Sequence, residues 1–134
     1  MDRPRTPLVA SLVPVPDLTK SSFVDGLRCR RLLWLQHHRP DLRTPPTLDE
    51  RRRLEHGNEV GRRARAEYPG GVLVGGAPFD LDRARRETDE ALASDAPALF
   101  EPLFEQGGVR IVADVLRRDT DDPDGWHLIE VKAS

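Results

Sequence analysis

Four residues in the last third of the chain have side chains suited to holding a cation: Glu101, Asp114, Glu130 and Lys132. If the turns between the last three predicted strands close as antiparallel hairpins, Glu101 lies opposite Asp114, and Asp114 lies opposite Glu130. Opposed residues of a ladder point to the same face, with Cα atoms about 4.5–5.5 Å apart. Lys132 follows Glu130 by two residues and therefore points to that face as well. The pattern predicts a row of three carboxylates with a lysine beside it.

A row of carboxylates needs a compensating positive charge. Like charges that are directly opposed in a sheet destabilise it, and burial of an unpaired carboxylate is costly. A hard divalent cation with oxygen ligands, Mg²⁺ or Mn²⁺, removes both penalties. We therefore predict a metal site formed by Asp114, Glu130 and Glu101. The alternative is a solvated sheet face on which Lys132 and nearby arginines neutralise the acids.

Lys132 is one of only two lysines, whereas the chain has nineteen arginines. A compact ammonium whose pKa shifts readily does what a planar guanidinium does not. Beside a metal, Lys132 is expected to orient or deprotonate a water molecule and to stabilise developing negative charge. The alternative is an ordinary exposed lysine.

The N-terminal part of the chain is predicted to be helical. Residues 18–38 carry apolar side chains at helical spacing, with Thr19 or Ser21 as the N-cap and Gly26 as the expected break between two helices. The capping box Thr47-Leu-Asp-Glu50 starts another helix.

The middle of the chain is predicted to hold a short strand at 72–74 and a helix capped by Asp80 that ends before Pro97. The last third is β-like, with strands at 98–106, 109–118 and 126–132 separated by turns. This order predicts an α/β or α+β domain, with helices packed on a mainly antiparallel sheet of three to four strands.

The sheet face opposite the acids is expected to be the buried one. It carries only apolar residues: Phe100, Phe104, Val109, Ile111, Ala113, Val115, Ile129 and Val131.

Charge is distributed unevenly along the chain. Residues 28–65 hold eleven arginines against five acidic residues, whereas 66–134 hold seven basic and fifteen acidic residues. A basic segment can contact a polyanion, so we predict DNA contact through the arginines of this segment: Arg30, Arg31, Arg51, Arg52, Arg62 and Arg63. The alternative is a set of helices with solvated, Arg-rich faces.

The single cysteine, Cys29, excludes an internal disulfide and fits the reducing cytoplasm. No apolar run approaches the roughly 20 residues of a membrane span. Residues 1–17 are expected to form a flexible leader.

The pattern Asp114, a hairpin-length gap, then Glu130-Val131-Lys132 resembles the D…E-x-K core of the PD-(D/E)XK nuclease superfamily. The strand that carries it is most similar to the RecB-like and CRISPR-associated exonuclease branch. Upstream, Leu18–Phe23, the segment from Gly26 to Cys29 with Leu33-Trp-Leu35, and the segment 57–61 resemble helices of that branch. The resemblance covers roughly residues 18–134 and implies a restriction-endonuclease-like core.

By this resemblance, Asp114 and Glu130 hold the metal, with the backbone carbonyl of Val131 as a further ligand, and Lys132 acts on the attacking water. Glu101 matches a less constant acidic position. His56 and Glu59 lie near where related nucleases place a helix residue of the site. Cys29 matches one of four iron–sulfur ligands, but the other three cysteines are absent, so a cluster within this chain is not expected.

Related nucleases continue beyond the E-x-K motif with a further helix and more strands. We therefore expect a domain incomplete at its C-terminus, weakly active alone, and completed by a missing segment or a second chain. The leading hypothesis is a metal-dependent DNA nuclease module. The alternatives are a nucleic-acid-binding remnant without catalysis and a non-functional truncation product.

Overall fold

The computed structural model describes residues 18–76 and 80–132, so the predicted leader lies outside the described residues. The helices and strands follow one another in this order: β1 (Leu18–Thr19), α1 (Lys20–Arg28), α2 (Arg30–His38), a short 3-10 helix (Pro40–Leu42), α3 (Leu48–Ala66), β2 (Val72–Leu73), α4 (Leu81–Leu92), β3 (Ala98–Phe100), β4 (Leu103–Gln106), β5 (Val109–Val112), β6 (Val115–Arg118) and β7 (Trp126–Ile129). The predicted mixture of helices with a mainly antiparallel strand arrangement is confirmed.

Three helices begin where side-chain oxygens satisfy the free amides of the first turn. Thr19 forms a capping box with Ser22 at the start of α1. Thr47 and Glu50 form the predicted capping box of α3, in which the Glu50 carboxylate accepts from the Thr47 N–H at 2.7 Å. Asp80 caps α4 by accepting from the Arg83 N–H at 2.7 Å.

The break between α1 and α2 falls at Cys29, which has extended backbone angles, and not at Gly26 as predicted. Gly26 serves close packing instead. A Cβ on Gly26 would lie only 2.7 Å from Leu33 Cδ2, so the missing side chain lets α2 lie against α1.

The strands form two sheets, with strand orders β1-β5-β4 and β2-β3-β6-β7. β1 and β2 pair in parallel with their neighbours, and the other pairings are antiparallel. The registers predicted from the two turns are confirmed, with Glu105 opposite Arg110 in one hairpin and Leu116 opposite Leu128 in the other. The predicted surface ion pair also forms, with Arg110 Nε 2.7 Å from Glu105 Oε1. Arg85 and Arg110 together lower the pKa of Glu105 to about 2.

The strands predicted as continuous over 98–106 and 109–118 are each broken in the middle. Glu101 has a φ of 57°, and Pro102 has no N–H to give to a ladder. Two backbone bonds still cross the break, from the Glu101 N–H to the Asp114 carbonyl at 3.2 Å and from the Ala113 N–H to the Pro102 carbonyl at 3.1 Å. One long hairpin is therefore bent in the middle, and its halves belong to different sheets.

The main core lies between α4 and the strands on either side of this bend. Buried Ala84 and Ala91 of α4 pack in one cluster with Leu99, Leu103 and Leu116. Thr88, also on the buried face of α4, accepts from the Leu103 N–H at 2.9 Å. This hydroxyl satisfies the first backbone donor after Pro102, which anchors α4 at the bend.

The expectation that the buried face is the one opposite the acids is only partly correct. Ala98, Phe100 and Val115 form a second small cluster, with Tyr68, Ile129 and Val131 packed against it. Beyond the bend the same face is open, with Phe104, Val109 and Ile111 exposed to 38%, 41% and 44%. The reason is that α4 covers the other face, where Leu103 and Leu116 lie.

The position of β7, which precedes Glu130, is fixed by Arg118 at the end of β6. Its guanidinium stacks over the Trp126 ring at 4.2 Å. It also donates to the Ser94 carbonyl at 2.6 Å and to the Pro123 carbonyl at 3.1 Å. These contacts tie the end of α4 to the turn that returns the chain into β7.

Gly71 provides a test of the second cluster. A Cβ at Gly71 would lie 2.5 Å from Phe100 Cε2 and 3.1 Å from the Ala98 carbonyl oxygen. Since the buried ring would have to move, Gly71→Ala should lower the free energy of unfolding by about 1–3 kcal/mol, as measured by urea unfolding.

Gly57→Ala is the matched control, because a Cβ there meets nothing within 4 Å. Glycine inside a helix costs about 0.5–1 kcal/mol relative to alanine, so this variant should be more stable than wild type. Equal effects of the two substitutions would contradict the packing of Phe100 on Gly71.

Candidate functional site

A groove of about 510 Å³ separates α3 from the bend of the sheet. Its helical wall includes Gly57, Gly61 and Arg65, and its sheet wall includes Glu101, Asp114 and Val131. Two of the predicted carboxylates and the predicted carbonyl-bearing residue therefore line one cavity, opposite an Arg-bearing helix.

Glu101 reaches this groove because of its backbone conformation. A φ of 57° places it in the left-handed region, which costs a non-glycine residue about 1–3 kcal/mol. Its Oε1 lies 3.2 Å from Arg65 Nη1 on the opposite wall. The strained residue thus supplies a side-chain ion pair that crosses the groove.

Asp114 connects the bend to the end of the neighbouring strand. Its Oδ2 accepts from the Val131 N–H at 2.8 Å, while its backbone carbonyl accepts from the Glu101 N–H. Through these bonds Asp114 fixes its carboxylate between Glu101 and the segment that follows β7.

Glu130 is paired with a residue that the sequence reasoning missed. Both of its carboxylate oxygens accept from Lys20 Nζ, at the start of α1. The Lys20 hydrogen bond is the largest cause that holds the pKa of Glu130 below its usual value; the charges of Lys20 and Lys132 and a hydrogen bond with the Asp114 side chain act in the same direction, against partial burial. Glu130 is therefore ionised and lies in contact with Asp114.

Lys132 is exposed, and its charge acts on Glu130. The signal that could have identified Lys20 was already in the sequence, because Lys20 is the only other lysine. Its partner lies 110 positions away along the chain, so no local pattern connected the two.

The predicted single row of acids is interrupted by the bend. Glu101 pairs with Arg65, and Glu130 pairs with Lys20. Among the described residues, no group of three or more His, Cys, Asp or Glu side chains stands ready to hold a metal ion. Asp114 and Glu130 remain together, and two carboxylates in contact are the donor type that Mg²⁺ or Mn²⁺ takes, with waters filling the rest of its shell.

The predicted DNA-contacting arginines are all exposed: Arg30, Arg31, Arg51, Arg52, Arg62 and Arg63. Arg62 also lines the groove, and both Arg62 and Arg63 pair with Glu59 on their own helix. Glu59 is thus engaged on the helix surface, and His56 is exposed.

Cys29 is exposed and lies between α1 and α2. As the only cysteine of the sequence it has no second thiol within this chain.

Comparisons of this chain with protein-family models, with curated proteins and with solved structures each find no match. Within residues 18–76 and 80–132, no helix has the length and apolar character needed to cross a membrane.

The backbone strain at Glu101 can be measured with two substitutions that both remove the Arg65 ion pair. Glu101→Gly relieves the left-handed conformation, whereas Glu101→Gln retains it. We expect the glycine variant to be more stable than the glutamine variant by about 1 kcal/mol in urea unfolding. A glutamine variant at least as stable as the glycine variant would show that the bend is unstrained.

Proposed function

We propose that the chain is a metal-dependent nuclease module that hydrolyses phosphodiester bonds of DNA in the groove between α3 and the sheet. The observation that carries the proposal is the contact of Asp114 and Glu130 at the ends of adjacent strands, with Val131 bonded to Asp114 and Lys132 following. The resemblance of these residues to the D…E-x-K pattern supports the same chemistry. The single cysteine favours action in the reducing cytoplasm.

In this proposal each residue of the groove has one task. Asp114 and Glu130 hold a divalent cation, which when bound polarises a phosphate oxygen and lowers the pKa of a water molecule. The Lys132 ammonium orients that water and stabilises the negative charge that develops on the phosphoryl oxygens. Glu101 contributes a third carboxylate once Arg65 turns to a phosphate.

The helical wall is suited to a nucleic-acid backbone. Gly57 and Gly61 present no side chains, and a Cβ at either position would meet nothing within 4 Å. Arg62 and Arg65 lie on the same wall, and arginine donates two parallel hydrogen bonds to phosphate. A strand of DNA can therefore approach the helix closely while its phosphates meet guanidinium groups.

The direct test is Mn²⁺-dependent cleavage of a labelled DNA oligonucleotide, with Mn²⁺ binding measured in parallel by calorimetry. Asp114→Asn and Glu130→Gln should each lose most of the binding heat and reduce cleavage by about 100-fold or more, since each removes a charge that holds the cation. Asp41→Asn is the matched control, because its carboxylate pairs with Arg39 outside the groove, and it should cleave at the wild-type rate. Wild-type binding heat in Asp114→Asn would contradict the metal site.

A second function, nucleic-acid binding without catalysis, is favoured by the exposed arginines of residues 28–65, where the net charge is +6. Binding of DNA by wild type together with Mn²⁺-independent stability of the DNA would support it over the nuclease.

Both functions predict that DNA affinity falls steeply with salt, because phosphate contacts release counterions. The double variant Arg51→Gln, Arg52→Gln should bind more weakly and show a log–log salt slope reduced by about two relative to wild type. Arg86→Gln, on the exposed face of the acidic half, serves as the charge-matched control and should retain the wild-type slope. A flat salt response of the wild-type protein would contradict an arginine-based interface.

A further inference from the structure

The pairing of Lys20 with Glu130 is not explained by the local structure of either residue. Lys20 is the first residue of α1, and no acidic residue lies in the first turn of that helix. A positive side chain at a helix N-terminus opposes the helix dipole. Lys20 therefore occupies a locally unfavourable position, and the Glu130 carboxylate offsets it from a distant part of the sequence.

Both lysines of the chain act on this one carboxylate. Lys20 donates to its two oxygens, and Lys132 lies close enough for its charge to lower the pKa of Glu130. All nineteen arginines are used elsewhere or left exposed. Arginine would bind a carboxylate through a rigid fork, whereas an ammonium on a flexible stem makes a pair that can separate.

We propose that Lys20 is an exchangeable cation of the Glu130 carboxylate, which holds the position of the divalent metal until the metal binds. The inference rests on the proposed function and adds a residue from α1 to its site. The Lys20 ammonium already binds both oxygens of Glu130, so the metal and the ammonium compete for the same acceptors. Metal binding releases Lys20 toward solvent or a substrate phosphate.

The exposure of the pair permits this exchange. The Lys20 and Glu130 side chains are 51% and 43% exposed, so the ammonium can leave without unfolding α1. An exposed ion pair contributes little free energy, and a divalent cation with two carboxylates replaces it readily. A purely structural strut would instead be expected to keep its partner on metal binding.

Release of Lys20 can be observed by acylation of the protein with an amine-directed reagent at fixed pH, followed by mass spectrometry. Lys20 and Lys132 are the only lysines, so each site is assigned without ambiguity. Acylation of Lys20 should rise severalfold when wild type is saturated with Mn²⁺. In Glu130→Gln it should be high with and without Mn²⁺. Unchanged acylation of Lys20 in Mn²⁺-saturated wild type would overturn the exchange.

Calorimetry provides the complementary readout. Removal of a competing and repelling ammonium should make Lys20→Gln bind Mn²⁺ about fivefold more tightly than wild type, the effect of an exposed ion pair. Arg39→Gln, which removes an exposed ion pair with Asp41 away from the groove, should bind Mn²⁺ as wild type does. Weaker binding in Lys20→Gln would show that Lys20 is a structural strut and would overturn the inference.

Failure of this inference can be told apart from failure of the proposed function. If wild type binds Mn²⁺ and loses it in Asp114→Asn, but Lys20→Gln gains no affinity, the metal site stands and the exchange is wrong. If neither wild type nor Lys20→Gln binds Mn²⁺, the metal site itself is absent and both proposals fail.

Discussion

The bend in the middle of the long hairpin is the constraint on which the rest of the structure depends. At Glu101 and Pro102 the ladder stops, and two backbone bonds carry the chain pair across the gap. The half before the bend joins the four-stranded sheet, and the half after it joins the three-stranded sheet. Thr88 satisfies the backbone donor that follows Pro102, so α4 stabilises the bend as well as covering the core. The groove exists because the two sheets diverge at this point.

The charges around the groove explain how acidic residues can lie close together in this fold. Each predicted carboxylate has a partner brought from another element: Arg65 of α3 for Glu101, a backbone N–H for Asp114, and Lys20 of α1 for Glu130. Like charges therefore do not face one another unscreened, and the repulsion expected of opposed acids is avoided. The same partners are positive groups that a metal and a phosphate would displace or recruit. Neutralisation in the free protein and function of the groove thus use the same side chains.

The register of the strands could be predicted from the sequence because it depends on where two turns lie, and both turns close symmetrically. The bend could not, since Glu101 adopts a left-handed conformation without being glycine, and only Pro102 signalled a break. The buried face was predicted in part only: alternation defines two faces, but it does not say which one a helix of small residues such as Ala84 will cover. Lys20 was missed because its role depends on a contact between distant parts of the chain.

The central claim, that a divalent cation binds at Asp114 and Glu130, is tested most directly by paramagnetic broadening of backbone amide NMR signals by substoichiometric Mn²⁺. Broadening falls off steeply with distance, so it locates the ion without relying on activity. We predict loss of the amide signals of Asp114 and Val131 first, followed by those of Gly61 on the facing wall. The acidic turn at 119–124 is the competing site, because it holds four aspartates. Broadening confined to that turn, with the groove signals intact, would contradict the account.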